Sequence, residues 1–240
     1  MNLLADAFEW ITAAEQWQGG GGLHVLLGQH LYYTALTLLI AGIIAVPAGW
    51  AIGHTGRGRE FAVGISGAAR AIPSFGLLIL LVLVIGVTNR TEAAMVTFVI
   101  LAIPSLLAGA YSGFEAIDRW VIDAARATGM SEWQILFRVE IPLGLSLLVG
   151  GIRSATMQVI ATVTIAAYIN LGGLGLPIIT GLALRRYDMV LGGAILVALL
   201  AIVVDLALSL AQRTAQPRGV RTETRPGRVR RRTPAPTAAT

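Results

Sequence analysis

The chain has 240 residues, of which 55% are hydrophobic and only 13% are charged, and its mean hydropathy is +0.74. Soluble domains carry about 25% charged residues, so this composition argues against a soluble protein and predicts an all-α integral membrane protein. The absence of cysteine excludes disulfides and thiolate metal sites, and we predict no bound metal. The net charge of +5 does not indicate nucleic-acid binding, because many of the arginines fall near the C-terminus.

Residues 1–30 contain three carboxylates, Asp6, Glu9 and Glu15, and no lysine or arginine, which favours an external location. We expect no cleaved signal peptide, because the first residues lack a basic start and a small-residue cleavage site. The apolar spacing predicts an interfacial amphipathic helix with Trp10 and Trp17 at headgroup depth.

Five apolar stretches are predicted to cross the membrane and define a transmembrane region over residues 31–211. Their approximate bounds are 31–52, 62–87, 93–112, 143–168 and 189–210. Three prolines fall within them, and gating kinks and simple packing explain these equally well: Pro47, Pro73 and Pro104. The tail, 212–240, is rich in Arg, Pro and Thr and is predicted to be disordered and to lie against anionic lipid headgroups rather than nucleic acid.

The distribution of arginine gives the orientation. With the tail in the cytoplasm, the inner segments hold the tail arginines and five more, namely Arg57, Arg59, Arg119, Arg126 and Arg138. The outer segments hold only Arg90, Arg185 and Arg186. The excess of positive charge inside predicts an external N-terminus and a cytoplasmic C-terminus.

The stretch 113–142, which we call the cytoplasmic hairpin, mixes charged, aromatic and apolar residues between two apolar spans. Apolar and small residues recur there at spacings of three and four, which predicts an amphipathic helix: Ile117, Trp120, Val121, Ala124 and Thr128. Gly129 predicts the end of that helix, and Ser131 followed by Gln134 has the spacing of a capping box that begins a second one. Pro142 marks the start of the next element.

Within the hairpin, Asp123-Ala124-Ala125, three residues, Gly129, nine residues and then Val139-Glu140-Ile141-Pro142 resemble the EAA loop of ABC-importer permeases. Asp123, Val139 and Ile141 are conservative departures from that family's Glu, Ile and Leu. The resemblance covers roughly residues 25–211 and implies a type I importer fold. It also implies that the hairpin docks on an ATPase, through Met130, Ser131 and Trp133 besides the motif residues.

Further motifs resemble the permeases for glycine betaine, carnitine, choline and proline betaine. They are Ala71-Ile72-Pro73-Ser74, Gly151-Ile152-Arg153-Ser154-Ala155-Thr156 and Gly172-Gly173-Leu174-Gly175. The resemblance implies a permease dimer of like or related chains in a bacterial plasma membrane. It also implies two separate ATPase subunits, which bind ATP and Mg²⁺, and a separate solute-binding protein. No cofactor is expected on this chain.

Arg70, Arg153 and Asp205 are charges within predicted spans, which are costly unless they are paired or hydrated. Arg153 and Asp205 lie at similar depth, so we predict a structural ion pair between the fourth and fifth spans; direct contact with solute is the alternative. Pro73, Ser74 and Phe75 are predicted to line a translocation pathway, together with Thr156.

Three other functions remain open: uptake of another small solute such as an amino acid, a non-transporting membrane scaffold, and a membrane-embedded enzyme. The enzyme is disfavoured because all three histidines, His24, His30 and His54, precede the second span, and no serine has a histidine partner in the sequence pattern.

Overall fold

In the computed structural model, residues 2–215 are described, and every regular element among them is helical. The α-helices are α1 Leu3–Thr12, α2 Leu23–Thr55, α3 Arg59–Ala71, α4 Ser74–Ile85, α5 Arg90–Glu115, α6 Arg119–Ala127, α7 Glu132–Ile135, α8 Ile141–Ile165, α9 Gly175–Leu184 and α10 Tyr187–Ala215. Short 3₁₀ turns span Ala14–Trp17, Val87–Asn89 and Ala166–Ile169, and a π-helical turn spans Leu136–Glu140.

Four apolar helical stretches are long enough to cross a membrane: Leu23–Thr55, Val87–Glu115, Glu132–Ile169 and Tyr187–Arg213. The bent pair α3 and α4 together has the length and apolar character of a fifth, broken span, so the predicted all-α fold with about five spans is confirmed.

The second span, predicted over 62–87 with either a kink or simple packing at Pro73, is broken at that proline. Helices α3 and α4 meet at 88°. Ile72 and Pro73 between them are extended, with ψ of 125° and 117°. Proline lacks an N–H and disfavours a helical conformation in the residue before it, so the ladder stops at this point. The hydropathy of a segment reflects only how apolar it is, so it gave no sign of the break.

The first and fourth spans are longer than predicted. Helix α2 begins at Leu23 rather than near residue 31. The fourth helical stretch begins at Glu132 rather than near residue 143, so the second arm of the hairpin is the inner end of this span. Pro142 does not interrupt it, since the π-helical turn Leu136–Glu140 lies just before the proline and changes the hydrogen-bonding register there.

Helix α5 forms the centre of the bundle and packs against α2 on one side and α8 on the other. Glycines permit the close approach: a Cβ built on Gly109 would lie 2.6 Å from Cα of Gly151, and one on Gly49 would lie 2.5 Å from Cβ of Ala110. Large apolar side chains fill the outer part of this core, including Phe98, Val159 and Val163.

The N-terminal helix α1 packs on the protein. Trp10 is only 5% exposed and its ring covers Gly192 of α10, so it packs against protein rather than lipid. Trp17 is 39% exposed and donates a hydrogen bond from Nε1 to the carbonyl of Ile11 at 2.7 Å. At the other end, α10 continues to Ala215, and the rest of the predicted disordered tail lies outside the described residues.

Candidate functional site

The cytoplasmic hairpin folds as its local sequence directs. The Asp118 carboxylate caps α6 by accepting from the Trp120 N–H at 3.0 Å. Gly129 then has a φ of +84°, a left-handed conformation that ends the helix and that glycine adopts without a Cβ clash. The capping box is present, because the Ser131 N–H donates to Gln134 Oε1 at 2.9 Å and the Gln134 N–H donates to Ser131 Oγ at 3.4 Å. These are the two helices and the glycine turn that the sequence predicted.

The motif residues fall into an exposed group and a half-buried group. Asp123, Ala124, Gly129, Ser131, Trp133 and Pro142 are exposed, and Ala125, Met130, Val139 and Ile141 are half-buried. Ile135 is fully buried and anchors the second arm. The hairpin therefore presents its motif outward from a fixed base.

Large aromatic side chains lie uncovered on the hairpin. Trp120 is 80% exposed, Trp133 71% and Phe137 60%, and the rings of the last two stack with centroids 6.1 Å apart. Such an exposed apolar patch, bordered by charged residues, marks a protein-interaction surface. A cavity of about 490 Å³ separates this aromatic pair from the inner end of α2 and is lined there by Pro47, Trp50 and His54.

An ion pair joins the two arms of the hairpin. Arg126 of α6 donates to both carboxylate oxygens of Glu132 in α7, at 2.8 and 3.2 Å, and lies 3.6 Å from the Asp123 carboxylate. The hydrogen bond to Glu132 raises the pKa of Arg126 above its usual value. The angle between the arms is thus held by charge as well as by the glycine turn.

A histidine links the hairpin to the first span. Nδ1 of His54, in the last turn of α2, lies 2.5 Å from Oε2 of Glu140, whose side chain is only 8% exposed. Nε2 of His54 lies 3.6 Å from Oε2 of Glu132. Sequence reasoning missed this contact, because 86 positions separate His54 from Glu140 and no spacing rule pairs them. The side chains of Asp123, Arg126, Glu132, His54 and Glu140 form one continuous polar chain.

The residues predicted for a pathway do not form one cluster. Pro73 is exposed at the break in the second span, Ser74 begins α4, and Phe75 packs on Tyr168 with ring centroids 5.0 Å apart. Thr156 is buried, and its hydroxyl donates to the Ile152 carbonyl at 2.7 Å. Thr156 lies about 18 Å from Tyr168, the residue that Phe75 contacts, because twelve positions of one helical stretch separate them at about 1.5 Å per residue.

Arg153 and Asp205 lie together, as the sequence analysis predicted. The guanidinium meets the carboxylate in a two-pronged contact, with Nη2 2.6 Å from Oδ2. This joins α8 to α10. Arg70, the third charge assigned to a span, lies near the end of α3 beside the break and is exposed.

Comparison with known proteins identifies the family. Residues 26–218 match the binding-protein-dependent transport system inner membrane component family. The chain belongs to this family. It is therefore an inner-membrane transport permease, and the resemblance drawn from the EAA motif is confirmed.

Similar permeases have curated names. The chain is 34% identical to the carnitine transport permease protein OpuCB of Listeria monocytogenes, over 85% of this chain and 93% of that one. It is 31% identical to the glycine betaine/carnitine/choline transport system permease protein OpuCB of Bacillus subtilis, over 84% and 92%. It is 35% identical to the osmoprotectant import permease protein OsmW of Salmonella typhimurium, over 84% and 95%.

The permease fold is also seen in a solved structure. A chain of the MetNI methionine ABC transporter in an inward-facing conformation aligns with a TM-score of 0.69 and 19% identity, over 81% of this permease and 96% of that chain. At that identity the likeness shows the fold, which is that of an ABC importer permease.

Proposed function

We propose that this permease takes up quaternary-ammonium osmoprotectants, such as glycine betaine, carnitine and choline, in an ATP-driven importer. The names of the similar permeases support the solute class. A separate ATPase hydrolyses ATP with Mg²⁺, a separate binding protein delivers the solute, and the permease pairs with a second copy or a related permease. This chain itself binds no cofactor.

The proposed mechanism rests on the hairpin, because its exposed aromatic patch is joined to two spans, those of α8 and α2. ATPase closure pushes on Trp120, Trp133 and Gly129, and the force enters α8 directly because α7 and α8 form one continuous helical stretch. It enters α2 through the contact between His54 and Glu140. Movement of these two helices against a paired permease changes which side of the membrane the pathway faces. In this proposal Pro73, Ser74, Phe75 and Thr156 contribute to that pathway.

Uptake into proteoliposomes that contain the permease, its ATPase and its binding protein tests this function. With ATP inside, labelled glycine betaine, carnitine and choline accumulate, and labelled methionine does not. Accumulation of methionine alone would contradict the solute class. An assembly that binds the ATPase but takes up none of the four solutes would indicate a scaffold instead of a transporter.

A further inference from the structure

The cavity of about 490 Å³ between the hairpin and the C-terminal end of α2 has the size of a small-molecule pocket. Residues of α2 between Pro47 and Thr55 form one wall, and residues between Glu132 and Phe137 form the other. The two walls meet where Nε2 of His54 lies 3.6 Å from Oε2 of Glu132. Pockets that enclose small ligands have volumes of about 300–1,000 Å³, so this cavity is large enough for one.

Three aromatic side chains line the cavity. Trp50 lies on the α2 wall, where its ring stacks on that of Phe114 with centroids 6.3 Å apart. Trp133 and Phe137 lie on the opposite wall, and their rings are inclined by only 15° to each other. A ligand between the walls therefore meets aromatic rings on two sides. The face of such a ring carries partial negative charge and attracts an organic cation.

The charge beside the cavity is also negative. Glu132 is among the residues that line it, and no lysine or arginine of the described chain is. Glu132 belongs to the polar chain in which three carboxylates accompany one arginine and one histidine: Asp123, Arg126, Glu132, His54 and Glu140. Negative charge remains in excess in this chain even when His54 is protonated. The cavity therefore suits a cation better than an anion.

We propose that the three rings and the Glu132 carboxylate bind a quaternary ammonium cation, such as choline, in this cavity. A quaternary ammonium group has no N–H, so its burial between apolar walls leaves no donor without a partner. Glycine betaine binds less tightly, because its own carboxylate is repelled by the excess of negative charge. An occupant touches both α2 and the hairpin and restrains movement between them. That restraint rests on the proposed function, whereas the binding itself does not.

Titration calorimetry of choline into the full-length permease in lipid nanodiscs tests the site. The matched probe is the neutral analogue of choline in which a tert-butyl group replaces the trimethylammonium group, so that shape is kept and charge is lost. We expect choline to bind about tenfold more tightly than this analogue. Equal affinities, or binding of the analogue alone, would show a merely apolar cavity of the kind that a lipid chain fills, and would overturn the proposal.

Variants of the two exposed tryptophans of the hairpin locate the binding. Trp133→Leu removes a ring from the cavity wall and weakens choline binding about fivefold, whereas Trp133→Phe keeps a ring and loses less. Trp120→Leu is the matched control and leaves the affinity unchanged, because Trp120 is 80% exposed on the first arm and does not line the cavity.

Equal choline affinities of Trp133→Leu and Trp120→Leu would refute the site. Uptake by the wild type is measured in a separate assay. If the wild type takes up no quaternary ammonium solute but binds choline at this cavity, the proposed function fails and the binding site stands.

Discussion

His30 is a buried polar side chain that joins three segments near the outer end of the permease. Its Nδ1 accepts the N–H of Leu174 at 3.3 Å, and its Nε2 lies 3.1 Å from the carbonyl of Ile160. Together these contacts require the neutral ring with its hydrogen on Nε2. The preceding residue, Gln29, accepts the N–H of Gly173 at 3.0 Å. The start of α2 therefore fixes the glycine-rich turn between α8 and α9.

Replacement of His30 by leucine keeps most of the volume but leaves the buried Leu174 N–H without a partner. We expect a loss of about 1–3 kcal/mol, the cost of an unsatisfied buried polar group. Thermal unfolding in detergent measures it, with His24→Leu, at an exposed position on the same helix, as the matched control. Equal midpoints for the two variants would contradict the role given to His30.

At the scale of the elements, α5 and α8 approach so closely that only glycine fits. In Gly109→Ala the new methyl group would meet the backbone of Gly151, which has no flexible side chain to move aside. We expect destabilisation of about 1–3 kcal/mol from overpacking. The control Gly42→Ala, which has no atom within 4 Å of the new Cβ, should be neutral or stabilising because alanine favours helix. Thermal midpoints of the two variants that move in the same direction would contradict this packing.

The contact between His54 and Glu140 also acts between elements, because it links the hairpin to α2. Removing His54 leaves the buried Glu140 carboxylate uncompensated, so His54→Leu should lose roughly 3 kcal/mol of stability, whereas His24→Leu, at an exposed position, should lose little. The double variant His54→Leu, Glu140→Leu should regain most of that stability.

In this double variant, the effect on coupling between ATP hydrolysis and transport can be measured apart from the effect on stability. Although it folds, we expect fewer solute molecules transported per ATP hydrolysed, because α2 no longer moves with the hairpin. Measured uptake and phosphate release in the same proteoliposomes give this ratio. A ratio equal to that of the wild type would show that the contact only stabilises the fold.

For the whole molecule, the sequence predicted best the features that depend on residues close together in the chain. Spans follow from runs of apolar residues, and the hairpin follows from Gly129 and the Ser131 capping box. The pairing of Arg153 with Asp205 was also accessible, since an isolated charge in a span needs a partner at similar depth.

Features that depend on three-dimensional context were missed. The contacts of His54 and His30 join residues far apart in the chain. Trp10 has the amphipathic side chain of an interfacial anchor, but its ring is buried against α10. Pro73 could be seen in the sequence, but the size of the bend depends on the packing of α4 against α5 and the aromatic contact between Phe75 and Tyr168.

In the proposed mechanism the hairpin transmits ATPase movement to the permease, and Gly129 gives the most direct test of this role. A Cβ at this position meets no atom of the chain within 4 Å, so a larger side chain would project outward, towards a docked ATPase. Gly129→Asn is the matched control, since asparagine tolerates a positive φ.

The decisive measurement is ATP-driven uptake by Gly129→Glu in an assembly that also contains the ATPase and the binding protein. We predict that uptake is abolished while the permease remains in the membrane at its normal level, and that Gly129→Asn retains most of its uptake. Normal uptake by Gly129→Glu would contradict the account.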